Sequence, residues 1–279
     1  MDAPAVADLL TRYDAQLRDR VPDRLPPSVE VERDGPVTRF MGMKGHGYVV
    51  YRDLGEFEGV DLDRLIARQV QVFGARGERF EWKLHGHDRP ADLPDRLRAA
   101  GFVPEVLETV VIAPVAPVAG PPVLPAAVSL REVTDRHDFD RIVAMEEAVW
   151  HDDHGFLPDM LEEERAVDPE AIAIVVAEAA AEVVCAAWVR FEGGTDFATL
   201  WGGATLPAWR GRGIALALKG EAIGWAIRHG LAYLETGNDP DNAPMRAVNA
   251  RLGFRPRPDE VTMRGALVDI PFRLPTLGA

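Results

Sequence analysis

Apolar positions in the second half of the chain change period in a readable way. Residues 172–177 and 183–191 are nearly continuous apolar runs interrupted by Glu178 and Glu182, which predicts two buried strands around a turn rather than a membrane span. Residues 197–206 form a further strand-like run, and residues 231–236 another. Between them Ile214, Leu218, Ala222, Trp225 and Ile227 recur at roughly helical spacing. Upstream, Ile142, Met145 and Val149 share one face of a helix over 138–150, a second helix covers 157–166, and 129–133 reads as a first strand. A mixed sheet flanked by helices fits this order.

The first half repeats part of that pattern. A strand over 80–85 leads into Gly86-His87-Asp88, a helix over 92–100, and Gly101-Phe102. In the second half, 231–236 leads into Gly237-Asn238-Asp239, and a helix ends at Gly253-Phe254. From Asp to Gly is thirteen residues in one and fourteen in the other. Both glycines suit a left-handed helix cap, and strand-like runs follow at 107–112 and 261–267. The pattern predicts a tandem repeat of one fold. Between the copies, prolines at 114, 117, 121, 122 and 125 make 113–127 an extended, semi-rigid spacer. The expected organisation is therefore 1–112, a linker over 113–127, and 128–279.

The chemistry lies at 205–215, where a strand end passes through a tight loop into a helix. Gly211 and Gly213 allow a sharp turn and leave no side chain to block a ligand. The helix behind them offers unpaired N–H groups and the positive end of its dipole, and Arg210 and Arg212 add charge. Amides flanked by two guanidinium groups form a phosphate site. The loop lacks the Gly-Lys-Ser/Thr ending of a P-loop and the Gly-x-Gly-x-x-Gly spacing of a dinucleotide fold.

Arg210-x-x-Gly213-x-Ala215 resembles the acyl-CoA pyrophosphate motif of the GNAT N-acetyltransferase superfamily. Asn242, Met245, Asn249, Gly253 and Phe254 match the offsets of that family's next helix, and the resemblance covers about residues 128–270. It implies an α/β fold of two tandem GNAT-like domains, each a mixed, mostly antiparallel twisted sheet flanked by helices. It implies an acyltransferase taking an acetyl group from acetyl-CoA as cosubstrate, without a metal, to a primary amine of a small molecule. The cofactor-binding residues it implies are Thr205, Leu206, Arg210, Gly211, Arg212, Gly213, Ile214, Ala215 and Asn242. Main-chain groups of Thr205 and Leu206 would hold pantetheine and polarise the thioester, and Asn242 would bond the cofactor arm. In the first half the corresponding loop, 52–61, carries Asp53, Glu56, Glu58 and Asp61, which would repel a pyrophosphate. A degenerate first copy and one active site per chain are expected.

Asn249 stands where the family usually has the tyrosine that protonates the departing thiolate, and an amide cannot supply a proton. No glutamate occurs on 197–205, so Glu235 on the neighbouring strand is the candidate base. His151, Asp152, Asp153 and His154 resemble a metal cluster but suit capping and solvation. Cys185 reads as a small core residue, and Trp201 and Trp209 as packing or pocket residues. A single cysteine excludes an internal disulfide and fits a reducing cytosol, and the N-terminus has no secretory pattern, so a cytoplasmic location is expected. The net charge of −14 argues against a nucleic-acid partner and fits a cationic acceptor. No membrane partner is expected, and monomer and homodimer both stay open. Two other readings also stay open: a non-catalytic acyl-CoA-binding module, and a transferase using charged tRNA, which the acidic chain and intact phosphate motif oppose.

Overall fold

The computed structural model describes residues 6–43, 47–104, 108–116, 123–254 and 267–273. The first half contains helix α1 (Val6–Gln16), strands β1 (Glu30–Asp34), β2 (Val37–Met41) and β3 (Gly47–Val50), and helix α2 (Gly59–Ala75). Strand β4 (Phe80–His85), helix α3 (Leu93–Ala99) and strands β5 (Val103–Pro104) and β6 (Glu108–Pro114) follow. The second half contains β7 (Val128–Glu132), α4 (Arg136–Trp150), α5 (Leu157–Val167), β8 (Ile172–Ala179), β9 (Glu182–Phe191) and β10 (Phe197–Thr205). It continues with α6 (Ile214–Arg228), β11 (Tyr233–Asn238), α7 (Ala243–Arg251) and β12 (Leu267–Arg273). Helix α1 and the β1–β2 hairpin were not anticipated from the sequence. Of the strand expected over 261–267, residues 261–266 lie outside the described residues, and the strand seen begins at Leu267.

The repeat holds in detail. In each half a strand, a helix and a second strand form a parallel unit, β3-α2-β4 and β10-α6-β11. Each unit is followed by a short helix ending in Gly-Phe. Gly101 and Gly253 have φ of 95° and 91°, as a left-handed cap requires. The Phe102 amide donates to Leu97 O at 3.0 Å, and the Phe254 amide donates to Asn249 O at 3.0 Å. Both phenylalanines are buried.

The halves share one continuous sheet, ordered β1-β2-β3-β4-β12-β6-β11-β10-β9-β8-β7, with β5 beside β12. Its central strands are exchanged. β6, from the first half, pairs antiparallel with β11 over Tyr233–Asn238. β12, from the end of the chain, pairs antiparallel with β4. β6 and β12 then pair with each other. Ala113 and Pro114, expected in the linker, are the last residues of β6 and face Leu234 and Tyr233.

Two faces of the second half are filled separately. Phe139, Ile142 and Met145 of α4 and Leu161 of α5 pack with Ile174, Val176 and Trp188. Helix α6 covers the opposite face, with Ile214 and Leu218 against Cys185 and Ala187, and Ala222 and Ala226 against Ala198 and Leu234. In the first half Leu62, Leu65 and Phe73 of α2 pack on Phe80 and Trp82. Each large apolar side chain so buried contributes about 2 kcal/mol. No helix among the described residues is long and apolar enough to cross a membrane.

Strand exchange means that neither half completes its own sheet. A chain split within 117–122 should give two fragments that are insoluble or unfolded when expressed alone, yet co-purify as a folded pair when expressed together. Size-exclusion chromatography and circular dichroism would read this; an independently folded, monomeric second half would contradict it.

Candidate acyl-CoA site

The site begins where β10 and β11 part. Their register has three pairs, ending at Thr199↔Glu235. Beyond it β10 continues to Thr205 paired with β9, while β11 continues to Asn238 paired with β6. At the fork the Thr236 hydroxyl donates to Leu200 O at 3.1 Å, a side-chain bond across the parting strands. The register of β10 shifts between Gly202 and Ala204. Gly202 and Gly203 have φ of 72° and 93°, and such a bulge re-aims the strand's backbone. A Cβ on Gly202 would lie 2.7 Å from the Trp188 ring, so only glycine fits. The adjacent glycines inside a strand were the sequence signal for this bulge.

The phosphate loop forms as its residues require. Strand β10 passes into a 3-10 turn, Pro207–Trp209, then Gly211 and Gly213 at φ of 73° and 79°. Ala217 N donates to Gly213 O at 3.0 Å. The amides of Ile214, Ala215 and Leu216 therefore have no acceptor within the helix. Gly213 is the N-cap and supplies no side-chain cap to them. The Ile214 side chain is buried, so it offers the site its amide alone. Arg210 donates through Nε to Thr205 O at 3.0 Å, and the Arg212 guanidinium lies 5.0 Å over the Trp209 ring. Both arginines are exposed beside the helix start. Uncapped helix amides, the helix dipole and two exposed arginines thus lie together in one short loop, a combination that suits a pyrophosphate.

Two of the expected contact residues also make local bonds. Leu206 N donates to Val184 O at 3.0 Å and Leu206 O accepts from Trp209 N at 2.8 Å. Its amide is engaged by β9 and its carbonyl accepts one bond from the turn, leaving that oxygen a second acceptor site. Asn242 caps α7, its Oδ1 accepting from Met245 N at 3.1 Å.

Helix α7 lies across the gap. A Cβ on Gly203 would lie 3.6 Å from Met245 Cε. One turn on, Asn249 is 3 % exposed and donates through Nδ2 to Asn238 Oδ1 at 2.8 Å. Its Oδ1 accepts from Lys219 Nζ at 2.9 Å. Lys219, on the inner face of α6, is 6 % exposed; burial lowers its pKa to about 8, and the nearby Glu235 charge raises it in part. Leu234 and Thr236 are buried on the α6 side, so the alternating pleat sets Glu235 on the opposite face.

Sequence reading missed Lys219, because its importance depends on α7 placing an amide over it. It also missed Glu146 near the end of α4, which is 4 % exposed. Glu146 Oε2 accepts from Trp150 Nε1 at 2.6 Å, and Oε1 has no partner among the described residues. Burial raises its pKa.

The remaining candidates have local roles. Cys185 is buried beneath α6, its sulfur accepting from the Thr205 hydroxyl at 3.1 Å, and burial pushes its pKa up to about 12. His151 ends α4 in the left-handed conformation, and Asp153 accepts from Gly155 N at 2.9 Å in the following turn. Trp201 is 50 % exposed; it donates to Thr199 Oγ1 at 2.9 Å and carries Arg190 4.8 Å over its ring.

Residues 138–254 match the profile of the acetyltransferase (GNAT) family. They form a GNAT domain. The whole chain has the tandem GNAT fold. A tandem GNAT protein from the clavulanic acid biosynthesis pathway, solved without AcCoA, superposes with a TM-score of 0.65 at 17% identity, covering 98% of this chain and 95% of that one. A GCN5-related N-acetyltransferase from Kribbella flavida gives 0.63 at 13% identity over the same shares. One from Sphaerobacter thermophilus gives 0.55 at 16% identity, covering 90% and 78%. No curated protein matches the sequence. The GNAT fold is one that supports acyl transfer.

Gly202→Ala should expose the constraint at the bulge. Left-handed strain of about 1–2 kcal/mol adds to the clash with Trp188, so thermal unfolding should begin several degrees lower. An unchanged melting temperature would contradict the bulge geometry.

Proposed function

We propose that the second GNAT domain transfers an acetyl group from acetyl-CoA to a primary amine of a small molecule, by direct attack of the amine on the thioester. One observation carries this reading: the uncapped N-terminus of α6, behind Gly211 and Gly213, follows the stretch of β10 that, among the described residues, has parted from the backbone of β11. The amides of Gly213, Ile214 and Ala215, with Arg210 and Arg212, hold the pyrophosphate. Thr205, Leu206 and the bulge at Gly202–Ala204 supply backbone along the pantetheine arm, and Asn242 borders it.

Catalysis then needs charge stabilisation on the thioester oxygen and removal of a proton from the amine. Backbone N–H groups re-aimed by the bulge serve the first need. Two carboxyl groups bear on the second, Glu146 and Glu235. We assign the base to Glu235, since its registered partner Thr199 is the last residue of β10 before the fork. Glu235 takes the proton from the attacking nitrogen, directly or through water. The acceptor enters from the face opposite α6, where Trp201 exposes its ring. The first domain, with four acidic residues in its corresponding loop, binds no second acyl-CoA and supports the sheet.

Calorimetric titration of acetyl-CoA against wild type and Gly213→Glu, with thiol release followed in a pooled amine library, tests the proposal. Micromolar binding weakened at least ~100-fold by the substitution (about 2.7 kcal/mol), with amine-dependent release, is expected. Binding without amine-dependent release would indicate a non-catalytic acyl-CoA module, and no wild-type binding would overturn the reading.

A further inference from the structure

A buried ammonium whose hydrogen bond runs to a neutral amide needs a reason, because desolvating a charge without a matched partner is costly. Lys219 is such a group. It lies on α6 between Leu218, which packs under Cys185, and Ala222, which packs under Leu234. Five residues separate it from Ile214, so about 7.5 Å of helix rise lies between the phosphate-binding amides and its backbone. Its amine then reaches inward to Asn249 at 2.9 Å. Asn249 is fixed in turn by Asn238, near the end of β11 and past the fork. The ammonium thus stands at the helical face of the gap, and Glu235 belongs to the other face.

This arrangement separates two proton-transfer groups across one opening, a carboxylate on one side and an ammonium on the other. Resting on the acyl-transfer reading above, we propose that Lys219 is the proton donor to the departing sulfur of coenzyme A, with Asn249 as its positioning residue. The amine nitrogen bonds to the thioester carbonyl carbon and loses a proton on the Glu235 side. The carbon–sulfur bond then breaks with its electron pair going to sulfur, and Lys219 Nζ gives sulfur a proton. The products are an amide, the free thiol and a neutral Lys219, which regains its proton from solvent while Glu235 releases its own.

The chemistry of the group suits the task. A pKa of about 8 is close to that of an ordinary thiol, about 8.5, so transfer is near balance. Among the described residues, Glu235 acts on Lys219 through its charge from the far face of β11, and β9 places Cys185 beneath the same helix. Helix α7 presents the neutral Asn249 there, with Arg246 and Arg251 on its exposed side. Glu235 favours the protonated lysine, and Cys185, raised by burial to about 12, stays a thiol.

A readout independent of turnover is the titration of the bound product. In the CoA complex, the thiolate ultraviolet absorbance should appear at lower pH than for free CoA, because the ammonium favours the thiolate. Lys219→Met should cancel that shift while changing the Kd for CoA less than about threefold. With hydroxylamine as a surrogate acceptor, kcat should fall about 100-fold or more in Lys219→Met. The wild-type decline in kcat above pH 8 should disappear in the same variant. Adding Asn249→Tyr to Lys219→Met should recover activity, since a phenol can donate a proton where an amide cannot. A wild-type complex whose thiol titrates like free CoA overturns the assignment even where the variant does not fold. So does an identical thiol titration in wild type and Lys219→Met. Failure of wild type to bind CoA overturns the acyl-transfer reading itself, and this assignment with it.

Discussion

The reciprocal exchange of β6 and β12 sets the geometry on which the rest depends. Strand β11 is held along its whole length by β6, over six registered pairs, but by β10 over three. Backbone bonding on one side is therefore complete, so β11 can leave β10 without exposing both of its edges. The same relation recurs in the first half, where β4 has five pairs with β12 and three with β3. Each half consequently contains a parallel pair free to part at its C-terminal end, and the tandem architecture creates two equivalent openings.

The openings have different fates. In the first half Tyr51, just past β3, donates to Asp88, just past β4. Asp88 also accepts from His85 N at 2.8 Å and pairs with buried Arg18 at 2.6 Å. Arg18 lies 5.3 Å over the Tyr51 ring, and Tyr13 of α1 reaches His85 at 3.2 Å. The segment following α1 therefore ties the two strand ends together with a buried ion pair, and removing one partner of such a pair costs about 3–5 kcal/mol. In the second half β10 carries Gly202 and Gly203, Met245 of α7 lies beside Gly203, and α6 starts at the uncapped Gly213. The interior that charge pairing fills in one copy is, in the other, the gap proposed to take acyl-CoA.

Local chemistry was legible and long-range pairing was not. Gly211 and Gly213 could be read because a positive φ leaves a direct mark on residue choice. The Gly-Phe endings could be read because each cap is made within a few residues. The exchange of β6 and β12 left no such mark, since a strand's apolar pattern says which face is buried and not which neighbour it joins. Lys219 was hidden for a related reason: a lysine within an amphipathic helix ordinarily reaches solvent, and only the placement of Asn249 on α7 shows otherwise.

One open cleft and one closed cleft per chain is the central claim, and stoichiometry tests it most directly. Native mass spectrometry of the full chain with saturating acetyl-CoA should show one ligand bound per chain, and none when Gly213 is replaced by glutamate. Two ligands per chain, or one retained by that variant, would place acyl-CoA in the first half and contradict the account.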